Sequence, residues 1–173
     1  MKKLLALIVM IVCLTASASA AIIMPGMQAP DFEAPLISGE TFKLSEQRGK
    51  VVLLNIWATW CGPCVAEMPD IDQLAKDYAD DLVVIGVNCG EPEKDVVSFI
   101  EKNGYTYPIA LDTDYLVSGM LYPTSSIPYT VVINPMGEIT QVHTGGGKGM
   151  YEVFEDYVQD ALASVQGEVE LMA

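Results

Sequence analysis

Apolar positions change their spacing several times along the chain, and each change predicts an element. Residues 51–57 and 82–87 are near-continuous apolar runs, which are typical of strands buried on both faces. After Pro63 apolar residues recur every three or four positions, which predicts a helix with a kink at Pro69. Residues 92–103 predict a second helix, because a proline stands near its start and an Asn-Gly pair near its end.

The second half of the chain predicts a hairpin and a final helix. Residues 107–111 are a candidate short strand, and residues 114–121 a weak helix. Residues 129–133 and 138–143 flank an Asn-Pro-Met-Gly turn and predict antiparallel strands. Apolar residues at helical spacing predict the last helix over residues 150–162. The order strand–helix–strand–helix–hairpin–helix therefore predicts an α/β fold with a parallel unit and antiparallel strands added to it.

The first residues have the pattern of a secretory signal. Two lysines precede an apolar run over residues 4–14, and small residues end in Ala18-Ser19-Ala20, which predicts cleavage after Ala20. As a helix that run covers only about 16 Å, whereas a membrane span needs about 30 Å. No charged residue lies between Lys3 and Asp31, so an uncleaved membrane anchor remains an alternative.

The remaining chain reads as one domain. We interpret residues 21–28 as a linker, residues 29–165 as the domain and residues 166–173 as a C-terminal tail. Within the domain, residues 41–44 alternate like a short strand after a Ser-Gly turn. The chain carries 23 acidic and 9 basic residues, and loss of residues 1–20 takes its net charge from −14 to −16. Such a chain repels phosphate backbones, so nucleic-acid binding is excluded.

Three cysteines remain after Cys13 leaves with the signal, and two of them form the motif Cys61-Gly62-Pro63-Cys64. The motif lies where the first buried strand meets the first helix. A stapling disulfide is one alternative, but so short a loop contributes only about 2 kcal/mol. Zinc is another, although only Cys89 and His143 could complete its ligands. Redox chemistry fits better, because a helix N-terminus favours the thiolate of Cys61. We expect Cys61 to be the exposed attacking thiol and Cys64, one helical turn further on, to be the resolving thiol.

Three segments carry a resemblance to a known family: Val-Leu-Leu-Asn-Ile-Trp-Ala-Thr-Trp-Cys-Gly-Pro-Cys over residues 52–64, Glu-Met-Pro over residues 67–69, and Ile-Pro-Tyr-Thr over residues 127–130. From about residue 29 to 162 the chain resembles the TlpA/ResA/CcmG-type thiol–disulfide oxidoreductases of the thioredoxin superfamily. The resemblance implies a thioredoxin fold, with a central mixed sheet flanked by helices, an N-terminal β-hairpin extension and a central insertion.

The resemblance also implies roles for site residues. Cytoplasmic thioredoxins carry a buried Asp at the position of Asn55, whereas this family resembles a version with Asn there and a Glu after the second cysteine. Glu67 would then exchange a proton with Cys64, its neighbour on one helix face. The alternative is that Glu67 is a surface carboxylate stabilised by the helix dipole.

Substrate contacts follow from the same resemblance. Ile127-Pro128 resembles the superfamily's cis-proline loop, where the backbone of Ile127 would pair with an extended substrate. Trp60 would cover the disulfide, or else serve as a packing aromatic. Gly62 and Pro63 complete the predicted substrate-binding set.

The function implied is that of a dithiol reductant of cysteine-containing extracytoplasmic proteins, for example in cytochrome c maturation. It would be a periplasmic or other extracytoplasmic monomer with no cofactor beyond the Cys61–Cys64 disulfide, re-reduced by a membrane thiol reductase. A general oxidant or isomerase, and a non-catalytic binding module, remain alternatives. A thiol peroxidase is not expected, because Ala58 stands where peroxiredoxins need Thr.

Three other features have modest interpretations. Cys89 is a buried free cysteine or a regulatory thiol, and His143 is structural. The glycine-rich residues 145–149 are not a P-loop, since their spacing fails and no Ser or Thr follows Lys148. We expect them to let the backbone turn into the last helix near the active site.

Overall fold

The computed structural model describes the backbone of residues 22–171 and the side chains of residues 22–165. The predicted signal, residues 1–20, lies outside the described residues. The elements in chain order are β1 (Glu33–Pro35), β2 (Thr41–Lys43), β3 (Val51–Trp57), α1 (Gly62–Asp77), β4 (Leu82–Cys89), α2 (Glu93–Asn103), β5 (Ile109–Asp112), β6 (Tyr129–Ile133), β7 (Ile139–Thr144) and α3 (Tyr151–Leu171).

A five-stranded mixed sheet organises the molecule, in the order β5-β4-β3-β6-β7. Strands β3, β4 and β5 run parallel, while β6 and β7 are antiparallel to their neighbours. Every residue of the central strand β3 is buried, which explains its unbroken apolar run. The register sets Asn55 beside Gly86 of β4 and Thr130 of β6. The one polar residue of the central strand therefore faces a hydroxyl across the sheet.

Each face of the sheet has its own cover. The three α-helices of the described residues pack on one face, which is the face of Val51, Leu53 and Trp57. Each large apolar side chain buried there contributes about 1.5–3 kcal/mol. The helical members of this core are Met68, Ile71, Leu74, Val96, Ile100, Phe154, Val158 and Ala161. The β1–β2 hairpin and the segment between β5 and β6 cover the other face, so the predicted mixed sheet, N-terminal hairpin and insertion are confirmed.

Both ends of the described chain have defined backbone structure. The segment taken as a linker is docked, because the backbones of Gly26 and Met27 hydrogen bond to Ile139 at 2.9 and 2.8 Å, and Ala29 bonds to Gly137. The amide and the carbonyl of Ile139, at the start of β7, thereby both find hydrogen-bond partners in this segment. At the other end α3 continues to Leu171 rather than giving way to a tail. Gly167 does not stop it, because an interior glycine costs a helix only about 1 kcal/mol.

The predicted weak helix over residues 114–121 is a single π-helical turn, Leu116–Leu121. Tyr115 precedes it with φ of 58°, the one positive value at a non-glycine residue in the described chain. The buried carboxylate of Asp112 fixes this turn by accepting from the amides of Val117 and Ser118 at 2.9 and 2.8 Å. These hydrogen bonds join residues five and six positions apart, so the spacing of apolar residues in the sequence does not predict them.

The predicted helices and strands otherwise lie within a few residues of those observed. Helix α1 runs unbroken through Pro69, and α2 ends at Gly104 with φ of 74°, the left-handed conformation that glycine favours. Within residues 22–171, no helix combines the length and the apolar character needed to cross a membrane.

Candidate active site

The two cysteines lie at the start of α1, directly after the loop that leaves β3. Cys61 is the N-cap residue, and it forms a disulfide with Cys64 in which the Cα atoms are 5.3 Å apart. The amide of Cys64 donates to the sulfur of Cys61 at 3.2 Å. Since the helix N-terminus and this amide both favour negative charge, they would stabilise a Cys61 thiolate after reduction.

The exposures of the two cysteines differ less than the sequence predicts. Cys61, predicted as the exposed thiol, is only 5% exposed, whereas Cys64 is 0% exposed. Both cysteines belong to the helix-side core. Access to the disulfide is therefore through Cys61 alone. Gly62 and Pro63 are exposed beside it.

Trp60 is not a packing aromatic, because 72% of it is exposed. It stands immediately before Cys61 and leaves its indole free for another molecule. The loop that carries it is held from the side by Glu91, whose carboxylate accepts from the amide of Thr59 at 2.7 Å and from its hydroxyl.

Glu67 is buried, so the alternative that it is a surface carboxylate is wrong. It is 0% exposed and lies one turn beyond Cys64 on α1. The side-chain amide of Asn55 donates to Glu67 Oε1 at 2.9 Å and to Thr130 Oγ1 at 3.0 Å. Glu67 Oε2 makes no hydrogen bond of normal geometry with the described residues. One carboxylate oxygen is therefore held by the central strand, and the other lies against the glycine-rich loop at Gly146.

Burial raises the pKa of Glu67 to about 7. The hydrogen bond from Asn55 and the backbone N–H of Gly147 oppose this rise, and the negative charge of Asp70 adds to it. Desolvation dominates because it penalises the ionised form of a carboxyl. A carboxyl with a pKa near 7 can both accept and release a proton at neutral pH.

The glycine-rich loop, residues 145–149, packs against the carboxyl of Glu67. The sequence predicted that this loop lies near the active site. The bond Ile127–Pro128 is cis, and the amide of Gly145 donates to the carbonyl of Pro128 at 2.9 Å. A Cβ atom at Gly146 would overlap Glu67 Oε2 and lie 3.2 Å from the ring of Pro128. Only glycine therefore leaves room for the loop to approach this closely.

Asp70 anchors the same loop from α1. Its carboxylate accepts from the amides of Gly149 and Met150, each at 2.8 Å, at the start of α3. Sequence reasoning assigned no contact with Glu67 or with its loop to Asp70, Gly146 or Thr130. The glycine run pointed to the loop, but these contacts join residues that are more than sixty positions apart, and no local pattern encodes such pairs.

A groove of about 570 Å³ opens beside Trp60. We call it the Tyr115 groove. Glu91 and Tyr115 are members that the sequence did not reveal. Cys89 lies in it as a half-buried free thiol, and burial raises the pKa of that thiol. The lining residues are Ile56, Trp60, Cys89, Gly90, Glu91, Tyr115, Ser118, Gly119, Thr124, Ser125, Ser126 and Ile127.

Two further sequence candidates have separate positions. His143 lies on β7 against α3, where its Nδ1 is 3.2 Å from the hydroxyl of Tyr157. Among the described side chains, no group of three or more His, Cys, Asp or Glu residues is arranged to hold a metal ion. The zinc alternative for Cys61 and Cys64 therefore finds no ligand set there.

Comparisons with known proteins identify relatives of this chain. Residues 25–142 match the model of the AhpC/TSA family. Thioredoxin-like protein YneN of Bacillus subtilis is 41% identical over 126 residues, which cover 71% of this chain and 73% of that protein. Thiol-disulfide oxidoreductase ResA of Halalkalibacterium halodurans is 39% identical over 136 residues, which cover 78% and 77%.

The fold has a counterpart among solved structures. A thiol:disulfide interchange protein of the thioredoxin family from Chlorobium tepidum superposes with a TM-score of 0.69 at 28% identity, over 82% of this chain and 99% of that one. The predicted thioredoxin fold is therefore confirmed. With a Cys-x-x-Cys disulfide at the start of α1 and relatives of this identity, the chain belongs to the AhpC/TSA family and is a thiol–disulfide oxidoreductase of the TlpA/ResA/CcmG type within the thioredoxin superfamily.

Proposed function

We propose that this oxidoreductase is exported and acts as a dithiol reductant of other extracytoplasmic proteins, such as the cysteine-containing precursors of cytochromes c. The observation that carries the proposal is the disulfide beside a buried carboxyl, Glu67, whose pKa is near 7. The neutral Gly62-Pro63 pair between the cysteines supports the reducing direction, because it adds no cation that would further stabilise the thiolate.

The reaction uses the two cysteines in turn. The Cys61 thiolate attacks one sulfur of a target disulfide, so that a mixed disulfide forms and the other target sulfur leaves as a thiolate. Cys64 then transfers its proton to Glu67 and attacks the sulfur of Cys61. The second target thiol is released and the Cys61–Cys64 disulfide forms, which moves two electrons to the target. A membrane thiol reductase would restore the dithiol.

The target segment would lie along the cis-proline loop. Ile127 precedes Pro128 and lines the same groove as Trp60, and its backbone forms no hydrogen bond to other backbone groups in the described turns and loops. An extended peptide could pair with it by strand addition, which recognises backbone and admits many sequences. The target cysteine would then face Cys61, the one member of the pair with any exposed surface.

The reduction potential of the Cys61–Cys64 couple tests the direction of electron flow. We expect equilibration with glutathione to give a value near that of thioredoxin, about −270 mV, together with reduction of insulin by dithiothreitol-charged protein. A value near −120 mV would identify a general oxidant instead. Failure to reduce insulin at any potential would leave a binding module.

Export is tested on the full chain. We expect protein expressed with its own first residues to leave the cytoplasm and to show the intact mass of a chain beginning at Ala21. A membrane-bound product that keeps residues 1–20 would establish the anchor. A product of full mass in the cytoplasm would contradict export.

A further inference from the structure

We propose that the Tyr115 groove binds a basic side chain of the target protein, close in sequence to the cysteine that is reduced. The proposal rests on the proposed function, because it names the chemistry of the target that this oxidoreductase acts on. The groove shares Trp60 and Ile127 with the surface around the disulfide. A target held at Cys61 would therefore bring neighbouring side chains to it.

Two exposed aromatic rings stand on the walls of the groove. Trp60 is 72% exposed and Tyr115 is 53% exposed, although side chains of this size usually bury most of their surface. A cation over the face of such a ring is attracted to it, and Trp and Tyr are the strongest partners. The two rings thus offer a basic side chain more than an apolar surface.

The position of Tyr115 is imposed by the fold. Its φ of 58° is a left-handed conformation, which persists in a non-glycine residue only where the surroundings determine it. Its phenol ring lies across Gly90, where a Cβ atom would collide with the ring. The tyrosine wall is therefore fixed before any target arrives, which reduces the entropy lost on binding.

The groove also contains a carboxylate, that of Glu91. It accepts from the amide and hydroxyl of Thr59 and from the side-chain amide of Asn88 at 2.7 Å. A carboxylate has about four acceptor positions, so one remains for a further donor. Among the described side chains, no lysine or arginine lies within ion-pair distance of Glu91. The charge in the groove therefore lacks a cation, which a target can supply.

The rest of the molecule favours the same kind of target. The chain has 23 acidic and 9 basic residues, so its field attracts basic segments and repels acidic ones. The remaining polar lining consists of uncharged hydroxyls, namely those of Ser118, Thr124, Ser125 and Ser126. These can accept hydrogen bonds from a guanidinium or ammonium group without competing with its charge.

Synthetic peptides test the proposal directly. Each peptide carries one cysteine as a mixed disulfide with thionitrobenzoate, and an arginine is placed at each neighbouring position in turn. Matched peptides carry citrulline, which keeps the shape of arginine and removes the charge. The reduced full-length protein is mixed with each peptide, and release of thionitrobenzoate gives the rate. At one position we expect arginine to react about fivefold faster than citrulline, and added salt to reduce this ratio.

The quantity compared is the ratio of the rate with the arginine peptide to the rate with the citrulline peptide. This ratio reports specificity for the charge and is independent of the basal reactivity of each variant. We expect Glu91→Gln and Tyr115→Leu each to bring the ratio toward one. Asp80→Asn removes the same charge from an exposed turn at the opposite end of the sheet, and it should leave the ratio unchanged. A third set of peptides carries norleucine, an apolar residue, at the same positions. Equal rates for arginine and citrulline at every position, or a norleucine peptide that reacts faster than the arginine peptide, would overturn the proposal while leaving the reductase function intact. Failure to react with any peptide would instead refute the proposed function.

Discussion

At the scale of single residues, Cys61 and Cys64 have different access to a target. Cys64 is 0% exposed, whereas 5% of the surface of Cys61 is exposed. The sulfur of Cys61 accepts a hydrogen bond from the amide of Cys64. We therefore predict that Cys64→Ser accumulates mixed disulfides with insulin through Cys61, because the second attack is lost. Cys61→Ser should accumulate few. Non-reducing gels and mass spectrometry of the adducts measure this.

A third thiol could also form mixed disulfides in that experiment, because Cys89 is a free cysteine in the groove beside Trp60. Both variants are best compared with Cys89→Ser added, which removes the third thiol. Burial raises the pKa of Cys89, so we expect this change to alter trapping little. Equal trapping by the two variants in that background would contradict the assigned order of attack.

Glu67 is the second residue whose chemistry can be measured alone. Its pKa of about 7 means that the carboxylate becomes available as a base as the pH rises through neutrality. We predict that Glu67→Gln slows resolution of the mixed disulfide roughly tenfold to a hundredfold at pH 8. In the variant the rate should rise only where Cys64 ionises by itself. Stopped-flow rates across pH measure both effects, and superimposable profiles would reduce Glu67 to a structural residue.

At the scale of elements, the glycine loop keeps water from Glu67. Gly146 approaches the carboxyl so closely that a methyl group would displace either the loop or the carboxyl. We predict that Gly146→Ala lowers the pKa of Glu67 toward 4.5, because displacement readmits water. Carboxyl NMR shifts measured across pH report that pKa. Lys148→Ala changes an exposed residue of the same loop and should leave the pKa in place, and equal shifts in both variants would contradict the steric argument.

A strand that is buried along its whole length could be predicted from the sequence. A segment whose conformation depends on hydrogen bonds to residues elsewhere in the chain could not. Strand β3 is buried along its whole length, so its apolar run marks it. The π-helical turn after Tyr115 depends on Asp112, and the docked residues near Gly26 depend on Ile139. Hydrogen bonds of this kind leave no periodic pattern in the sequence, which is why neither contact could be predicted.

The candidate site divides in the same way. The motif Cys61-Gly62-Pro63-Cys64 is a local sequence feature, whereas the resemblance pointed to the cis bond at Pro128 and to Glu67. The partners that set the environment of Glu67 come from elsewhere: Asn55 on β3, Thr130 on β6 and Gly146 in the loop. Residue types that react could thus be found in the sequence, whereas the burial that tunes them required the fold.

At the scale of the whole molecule, Glu67 links the chemistry to the stability of the fold. Its pKa is about 7 in the folded protein, against 4.5 for an unperturbed carboxyl. Between these values the folded protein holds the proton and the unfolded chain loses it, so the free energy of unfolding falls as the pH rises. Above pH 7 the folded state carries a buried charge, which costs up to about 3 kcal/mol.

We therefore predict that Glu67→Gln is more stable than the wild type at pH 8, by about 1–3 kcal/mol, and that the two converge near pH 4.5. Glutamine keeps an oxygen for the amide of Asn55, so that contact survives the change. Urea unfolding of the oxidised proteins across pH measures the difference, in which the titration of all other groups cancels. Asp80→Asn, an exposed control, should track the wild type at every pH. A constant difference between Glu67→Gln and wild type from pH 4.5 to 8 would mean that Glu67 does not titrate in that range in the folded protein.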